Sequence, residues 1–597
     1  MRWLTATLAL VGTMGLAARP AVGQSEVDVQ ETQWGFDGTA VPGTFVPLSV
    51  LLRNNSASIA TGELRLVRIL GFSKPIDVPL AVEYEIPPHE ARWFQLMPLL
   101  GRGQDIWELR WGDSPTEKAE APAPRVANPA VVLLLNSGGL PRRVGTIKRF
   151  PTNLFPPSVT GTDALAAVAL DEVPDLQGAR LQAFQEWLRR GGRVFLLQDD
   201  AGRHPQFPDS LALLNTPQTD FRVGLGRVQR LAMTAREINP ETLRTTMLGL
   251  PPQSESKRNA PAKSPFESTE GVQWDPHQPV LSDLERASRF HRRWWLIYPL
   301  AMMYVAWIFP GSYLVGRNAK RTAWFYAMFL AGAGLFSLAF MKLARVGAGE
   351  QNRMLSASVA RLIGESTFDV TQWTALAEIP GAWRPLTHDA SGRCYGAGAE
   401  YETVPGVART GGDARLELDL PPGSTRGFVS RFRAEGPPIA LQLDAFELTD
   451  GRLSGLSLTG QLPPGITMGH VAQGPRLYPL DVVGDRRLVA GTHRPLTTLT
   501  FITGLDDAAF QRTRFRVADE DATGPLDDTL RGLYRRLAGN AFGLSGKLAA
   551  SACEPPPGTV RVLLFCIDDS RFQAQSDAYP DRRGCVLYVV DLLASGS

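Results

Sequence analysis

A chain of 597 residues exceeds what one hydrophobic core sustains, because cores rarely grow past ~250 to 300 residues before a chain splits into domains. Its 62 basic and 60 acidic residues leave a formal charge of +2, and the basic residues are dispersed, which excludes the sustained positive field of a nucleic-acid binder. The 57 Gly and 46 Pro are many for a helical protein and suit turn-rich β domains.

Residues 1–24, MRWLTATLALVGTMGLAARPAVGQ, set Arg2 before an apolar core from Leu4 to Ala17 and end in small residues. That is the pattern of a cleavable export signal, with an uncleaved anchor helix as the alternative. From 25 to 120, stretches such as TFVPLSVLLRNNSAS and IDVPLAVEYEIPPHEARWFQLMPL alternate apolar and polar residues between turns. This period of two predicts an immunoglobulin-like β-sandwich.

The period changes at 126–250. AVVLLLN (130–136), ALAAVAL (164–170) and RVFLLQ (193–198) read as buried strands, and Leu181, Phe184 and Leu188 share one face of a helix stopped by Gly191-Gly192. Strand, helix, strand in this order predicts an α/β unit on a parallel sheet. Ligands of such sheets gather at the carboxyl ends of the strands, which here carry Asn136 and Ser137, Asp171 and Glu172, and Asp199 and Asp200. An acidic rim of that kind holds a cation or a polyol through hard oxygen ligands, or else is a solvated edge whose acids cap helices.

The run ALAAVALDEVPDLQGARLQAFQEWLRRGGRVFLLQDD, with Gly224-Leu225-Gly226-Arg227-Val228 after it, resembles the class I glutamine amidotransferase-like fold carried by exported bacterial membrane proteins of unknown role. Active members of that fold use a cysteine nucleophile activated by a histidine backed by an acid. No cysteine precedes Cys394, so the resemblance implies a non-catalytic copy. Ser137 lacks the Gly-x-Ser-x-Gly elbow, and His204 is the domain's one histidine, so a serine hydrolase is a poor substitute. No catalytic residue, cofactor or metal is expected.

Residues 251–290 are polar and proline-rich and read as a flexible linker. Two apolar runs follow, 294–315 and 322–343, joined by a basic knot at 316–321, and each is long enough to predict a transmembrane helix. Arg289, Arg292 and Arg293 outside roughly balance Arg317, Lys320 and Arg321 in the knot, so the export signal decides the orientation. Both large regions are then extracytoplasmic, on the bacterial cytoplasmic (inner) membrane. Tyr304, Pro310, Gly311 and Tyr313 extend the resemblance to the same exported proteins.

Residues 349–597 return to β patterning, with a helix near 525–537. All four cysteines, Cys394, Cys553, Cys566 and Cys585, lie here, and an even number in an oxidising compartment makes them disulfide candidates, with buried free thiols as the alternative. The expected fold class is therefore multidomain: a β-sandwich, an α/β amidotransferase-like domain, a two-helix transmembrane hairpin and C-terminal mainly-β domains. The expected function is that of a non-enzymatic, envelope-anchored interaction protein with a membrane and other envelope or membrane proteins as partners and no nucleic acid. Two alternatives stay open: an exported hydrolase or carbohydrate-binding protein using the acidic rim, and an accessory subunit of a membrane complex.

Overall fold

The computed structural model of the chain describes most of residues 26–594; the longer stretches outside the described residues are 1–25, 248–276, 496–524 and 542–557, together with several short turns. The expected export signal and the knot at 316–321 lie outside them.

Two antiparallel sheets close over the first core. One holds Val27–Trp34, Leu48–Asn54 and Ala91–Leu96; the other runs Lys118–Ala121, Ile106–Arg110, Ala60–Leu70 and Lys74–Ile86. Their facing side chains, among them Trp34, Val50, Leu64 and Trp107, form the core. The second sheet does not stop with the N-terminal region. Gly406–Arg409 pairs parallel to Lys74–Ile86, with Ala408 opposite Leu80, and brings Arg415–Leu420 and Ala382–Leu386 into the same sheet. Leu416, Leu418 and Leu420 thus bury against residues more than three hundred positions earlier.

A second sheet system is parallel at its centre, in the order Ile147–Pro151, Ala130–Leu135, Leu165–Leu170, Arg193–Leu196, Gly226–Arg230. Helix α1 (Gly178–Arg189) covers one face with Phe184, Trp187 and Leu188, while Leu231, Ala235 and Ile238 help to cover the other. The helix stops where Gly191 turns to a φ of 124°, and the Gly192 N–H donates to the Trp187 carbonyl at 3.0 Å. A Cβ on Gly192 would lie 2.6 Å from the Trp187 ring, so this indole packs against bare backbone.

The largest sheet has twelve strands among the described residues and joins 353–362 to 581–593 in parallel, with Thr559–Ile567, Thr367–Glu378 and Ser424–Glu435 beside them. Thr559–Ile567 is buried on both faces: Val560, Val562, Leu564 and Cys566 face one core, Leu563 and Phe565 the other. A strand covered on both sides reads as a continuous apolar run. Two helices cover the second face. One is α2 (Gln278–Ser288), which buries Val280, Leu281 and Leu284 inside the segment expected to be a flexible linker. The other is the C-terminal helix Pro525–Ala541, with Leu533, Tyr534 and Leu537 buried.

Between α2 and the large sheet run the two apolar segments. The first is α3 (Trp294–Ala306), continued by a π-helical turn at Trp307–Gly311 that contains Pro310; the second is α4 (Thr322–Val346). They touch through Tyr304, whose ring lies 5.3 Å from Phe336, and through Trp307, whose indole fits over Gly332, where a Cβ would come within 2.4 Å. The expected fold class needs correction here. The chain is mostly β-strand in several sheets with few helices, and among the described residues no helix is long and apolar enough to cross a membrane. At ~1.5 Å per residue the thirteen residues of α3 extend about 20 Å, against the ~30 Å of a bilayer core. Proline removes a backbone donor and breaks the regular ladder, which is why the first run does not continue as one helix. The expected transmembrane hairpin, and with it the expected anchoring in the inner membrane, is not supported.

One buried polar cluster beside the large sheet is centred on His388. His388 stacks on Phe432 with ring centroids 4.3 Å apart, its Nε2 donates to Gln372 Oε1 at 2.9 Å, and its Nδ1 accepts from the Tyr395 hydroxyl at 3.1 Å. Burial, helped by Arg393, pulls its pKa from 6.5 down to about 3. A depressed pKa means stability that is present above the unfolded value and lost as pH falls towards the folded one. Urea midpoints are expected to fall between about pH 6.5 and about pH 3, at up to ~1.4 kcal/mol per pH unit, and His388→Gln is expected to flatten that slope; equal slopes in the two proteins would contradict this role for His388.

Candidate functional site

The acidic rim forms at the carboxyl ends of the parallel strands, but most of its members are already engaged. The Asn136 N–H donates to Glu172 Oε1 at 3.0 Å, its Nδ2 donates to the Val173 carbonyl at 2.6 Å, and its Oδ1 accepts from the Asp175 N–H. Asn136 and Glu172 thereby tie two loops together. Asp199 accepts from the Ala201 and Arg203 N–H groups, both at 2.9 Å, which closes a tight turn and lowers its pKa, chiefly through the Arg203 bond. Asp200 meets Arg236 at 3.9 Å with both side chains exposed, a contact worth little. Ser137 lies outside the described residues, and His204 Nδ1 sits 3.2 Å from the Leu197 carbonyl.

Asp171 differs. Its Oδ1 is buried with no hydrogen-bond partner among the described residues. Burial raises its pKa, Glu172 and Asp200 push the same way, and its own backbone N–H and Arg149 oppose them. It is the one rim carboxylate whose geometry asks for something further, and a single acid does not make a cation site. Among the described residues no group of three or more His, Cys, Asp or Glu side chains is placed to hold a metal ion.

Among the described residues the cysteines form no reactive centre. Cys394 and Cys566 are buried free thiols, each pushed up to about 12, in both cases first by burial. At such values the thiolate is absent near neutrality. Cys585 is buried in the strand beside Cys566, and Cys553 lies outside the described residues. The disulfide expectation finds no support at Cys394 or Cys566.

A different cluster, not foreseen from the pattern of motifs, lies where the parallel-sheet unit meets the large sheet. Asp163 and Arg190 come from the first, Asp369 and Arg431 from the second. Arg190 donates to Asp163 Oδ1 at 2.9 Å and to Asp369 Oδ2 at 2.7 Å, while Arg431 reaches Asp369 through Nε at 3.1 Å and Nη2 at 2.7 Å and also pairs with Asp163. The four groups close a ring of two cations and two anions. Beside it, Glu186 of α1 pairs with Arg433 at 2.7 Å, and Thr160 Oγ1 donates to the Gly392 carbonyl at 3.1 Å.

The ring forms one wall of a cavity of about 260 Å³. The opposite walls hold Gly43 to Phe45, His277, Arg361, Trp373 and the end of the Pro525–Ala541 helix. Trp373 Nε1 donates to His277 Nδ1 at 3.0 Å, so the imidazole carries its proton on Nε2, which donates to the Gly43 carbonyl at 2.9 Å. Arg361 donates to the carbonyl of Ala541 at 2.8 Å. Segments far apart in the sequence therefore converge on this space.

Two substitutions separate the two places. Asp171→Asn removes a carboxylate whose raised pKa makes its ionised form unfavourable in the folded state. The sign follows from linkage: a raised folded pKa gives stability that is present below the unfolded value and lost as pH rises through the folded one. The variant is therefore expected to melt higher than the parent at about pH 7 and to lose that advantage near about pH 3; a lower melting temperature at pH 7 would instead show that the ionised carboxylate is held by contacts of its own. Asp369→Ala leaves Asp163 as the one ring carboxylate for Arg190 and Arg431 and is expected to cost about 3–5 kcal/mol in urea unfolding, whereas a loss below ~1 kcal/mol would mean that water replaces the lost carboxylate.

No family model matches the chain, and no curated protein matches it. The resemblance to the amidotransferase-like exported proteins thus gains no support from known sequences. Among solved structures the chain is similar to a cycloisomaltooligosaccharide glucanotransferase of Paenibacillus sp. complexed with cycloisomaltoheptaose, at 7% identity over 78% of this chain and 98% of that one, with a TM-score of 0.16. A likeness at that level carries no argument about fold or chemistry, and no family is assigned to the chain.

Proposed function

We propose that this protein is a non-enzymatic interaction protein whose docking element is the α3 and α4 pair and whose partners are membrane proteins. The observation that supports the reading is where the apolar surface lies. Tyr298, Met302, Phe309, Leu330, Leu335 and Leu338 are all more than half exposed, and Met302 and Phe309 reach 72% and 82%. Elsewhere among the described residues exposed large apolar side chains stand singly, as Ile59 and Trp383 do. Contiguous apolar surface of this extent marks a place where another molecule sits.

The rest of the fold supports the same reading. Sheet pairing between Lys74–Ile86 and Gly406–Arg409 and the charge ring join the regions before and after the helices, so the pair leaves a braced body. Hydrolysis or carbohydrate binding at the acidic rim is the weaker reading, because Asn136, Glu172 and Asp199 are committed to loop hydrogen bonds.

A photo-reactive residue placed at Met302 or Leu330 is expected to capture one reproducible membrane-protein partner, and Met302→Lys together with Leu330→Lys is expected to abolish its co-purification with the melting temperature unchanged. The same probe at the isolated Ile59 is the control. Equal crosslinking at Ile59 and at the helices, or an undiminished partner with the double variant, would refute the reading.

A further inference from the structure

The cations and anions around the 260 Å³ cavity do not balance. Arg190 and Arg431 share Asp163 and Asp369, two against two. Arg361 is a third guanidinium on the same cavity, and among the described residues no carboxylate lies within ion-pair distance of it. Its one described hydrogen bond goes to the Ala541 carbonyl, the last residue of the Pro525–Ala541 helix. A helix C-terminus offers about half a negative charge, so a positive excess remains. Nor is Asp591 free to supply the missing anion: Arg561 holds it at 2.7 and 3.0 Å, and that pair is neutral as a whole.

The space beside Arg361 is polar and reachable. Arg361, Thr371 and Asn540 are each half-buried on the cavity, so solvent has access to them, and Thr371 places a hydroxyl there. A guanidinium presents five N–H donors in a planar fork that matches the oxygens of a carboxylate or phosphate, and one of those of Arg361 is used on Ala541. His277 has both ring nitrogens engaged, with Trp373 and Gly43, and so does not compete. The carboxylates of the ring are likewise held by Arg190 and Arg431, which limits their repulsion of an incoming anion.

We propose that the cavity between the parallel-sheet unit and the large sheet binds a small oxyanion, of the carboxylate or phosphate class, on Arg361. The site is separate from the α3 and α4 surface, and it stands whether or not that surface docks a partner. Because it is built from the parallel-sheet unit, the large sheet, α2 and the C-terminal helix together, a bound anion stabilises their joint arrangement and not one unit alone.

The test is thermal unfolding of the full chain in sodium phosphate, and separately in sodium acetate, each against sodium chloride at matched ionic strength. One of the two oxyanions is expected to raise the melting temperature by roughly 2–4 °C beyond chloride at ~100 times its Kd, and the responding arm identifies the class. Arg361→Gln is expected to abolish the rise, while Arg203→Gln, at an exposed arginine, keeps it. A rise absent in both salts, or equal in the parent and Arg361→Gln, overturns the proposal. Should Arg361→Gln fail to fold, arginine modification by a dicarbonyl reagent, read by mass spectrometry on the unaltered chain, replaces it. The responding anion is then expected to slow modification of Arg361 by about tenfold at ~10 times its Kd and to leave Arg203 unaffected, and no protection overturns the proposal.

Discussion

The ring of Asp163, Arg190, Asp369 and Arg431 is the contact on which the arrangement of this molecule turns. Taking a charged group out of water costs several kcal/mol per ion, and opposite charges repay that only when geometry and hydrogen bonding are nearly complete. Here each guanidinium reaches both carboxylates, and Asp369 is almost wholly buried. Such a ring adds little net stability compared with apolar packing, but it tolerates only one register between the parallel-sheet unit and the large sheet. A shift of one strand position on either side would leave four charges without partners in a largely buried interface.

That constraint explains how distant parts of the chain come to share cores. The first core mixes Trp34 and Leu64 with Leu416 and Tyr579, and the large sheet sets 353–362 parallel to 581–593. With the regions on both sides of α3 and α4 locked in this way, the two helices are a closed excursion from a single braced body. Their mutual contact is narrow, an aromatic cluster at Tyr304 and a close approach of Trp307 over Gly332, which leaves most of their apolar surface facing outward.

How far sequence reading succeeds depends on whether the physics is local. Ala130–Leu135, Leu165–Leu170 and Arg193–Leu196 are legible as strands because both of their faces are buried, and the stop of α1 is legible because Gly191 and Gly192 answer a positive φ and a packed indole. The apolar run at 294–315 misleads because a hydropathy window counts residues and is blind to where the ladder breaks, as it does at Trp307–Gly311. α2 was hidden because three buried residues, Val280, Leu281 and Leu284, are too few to stand out from a polar surrounding. At the acidic rim the residue types were correctly those that bind hard ligands, yet Asn136 and Asp199 spend the same oxygens on backbone N–H groups, which no spacing rule distinguishes in advance.

The amino-acid sequence by itself determined the kinds of element and the places where they break, since periodicity, glycine and proline act over a few residues. Only the tertiary structure decided which charges are buried and with whom. Asp369 and Arg431 sit in alternating strands where a polar position ordinarily marks a solvated face, and nothing within their own strands reveals that the parallel-sheet unit covers that face. Their partner Arg190 lies 179 residues from Asp369, a separation over which local pattern carries no information about contact. The cavity beside them, and the third arginine that faces it, exist only because those distant faces meet.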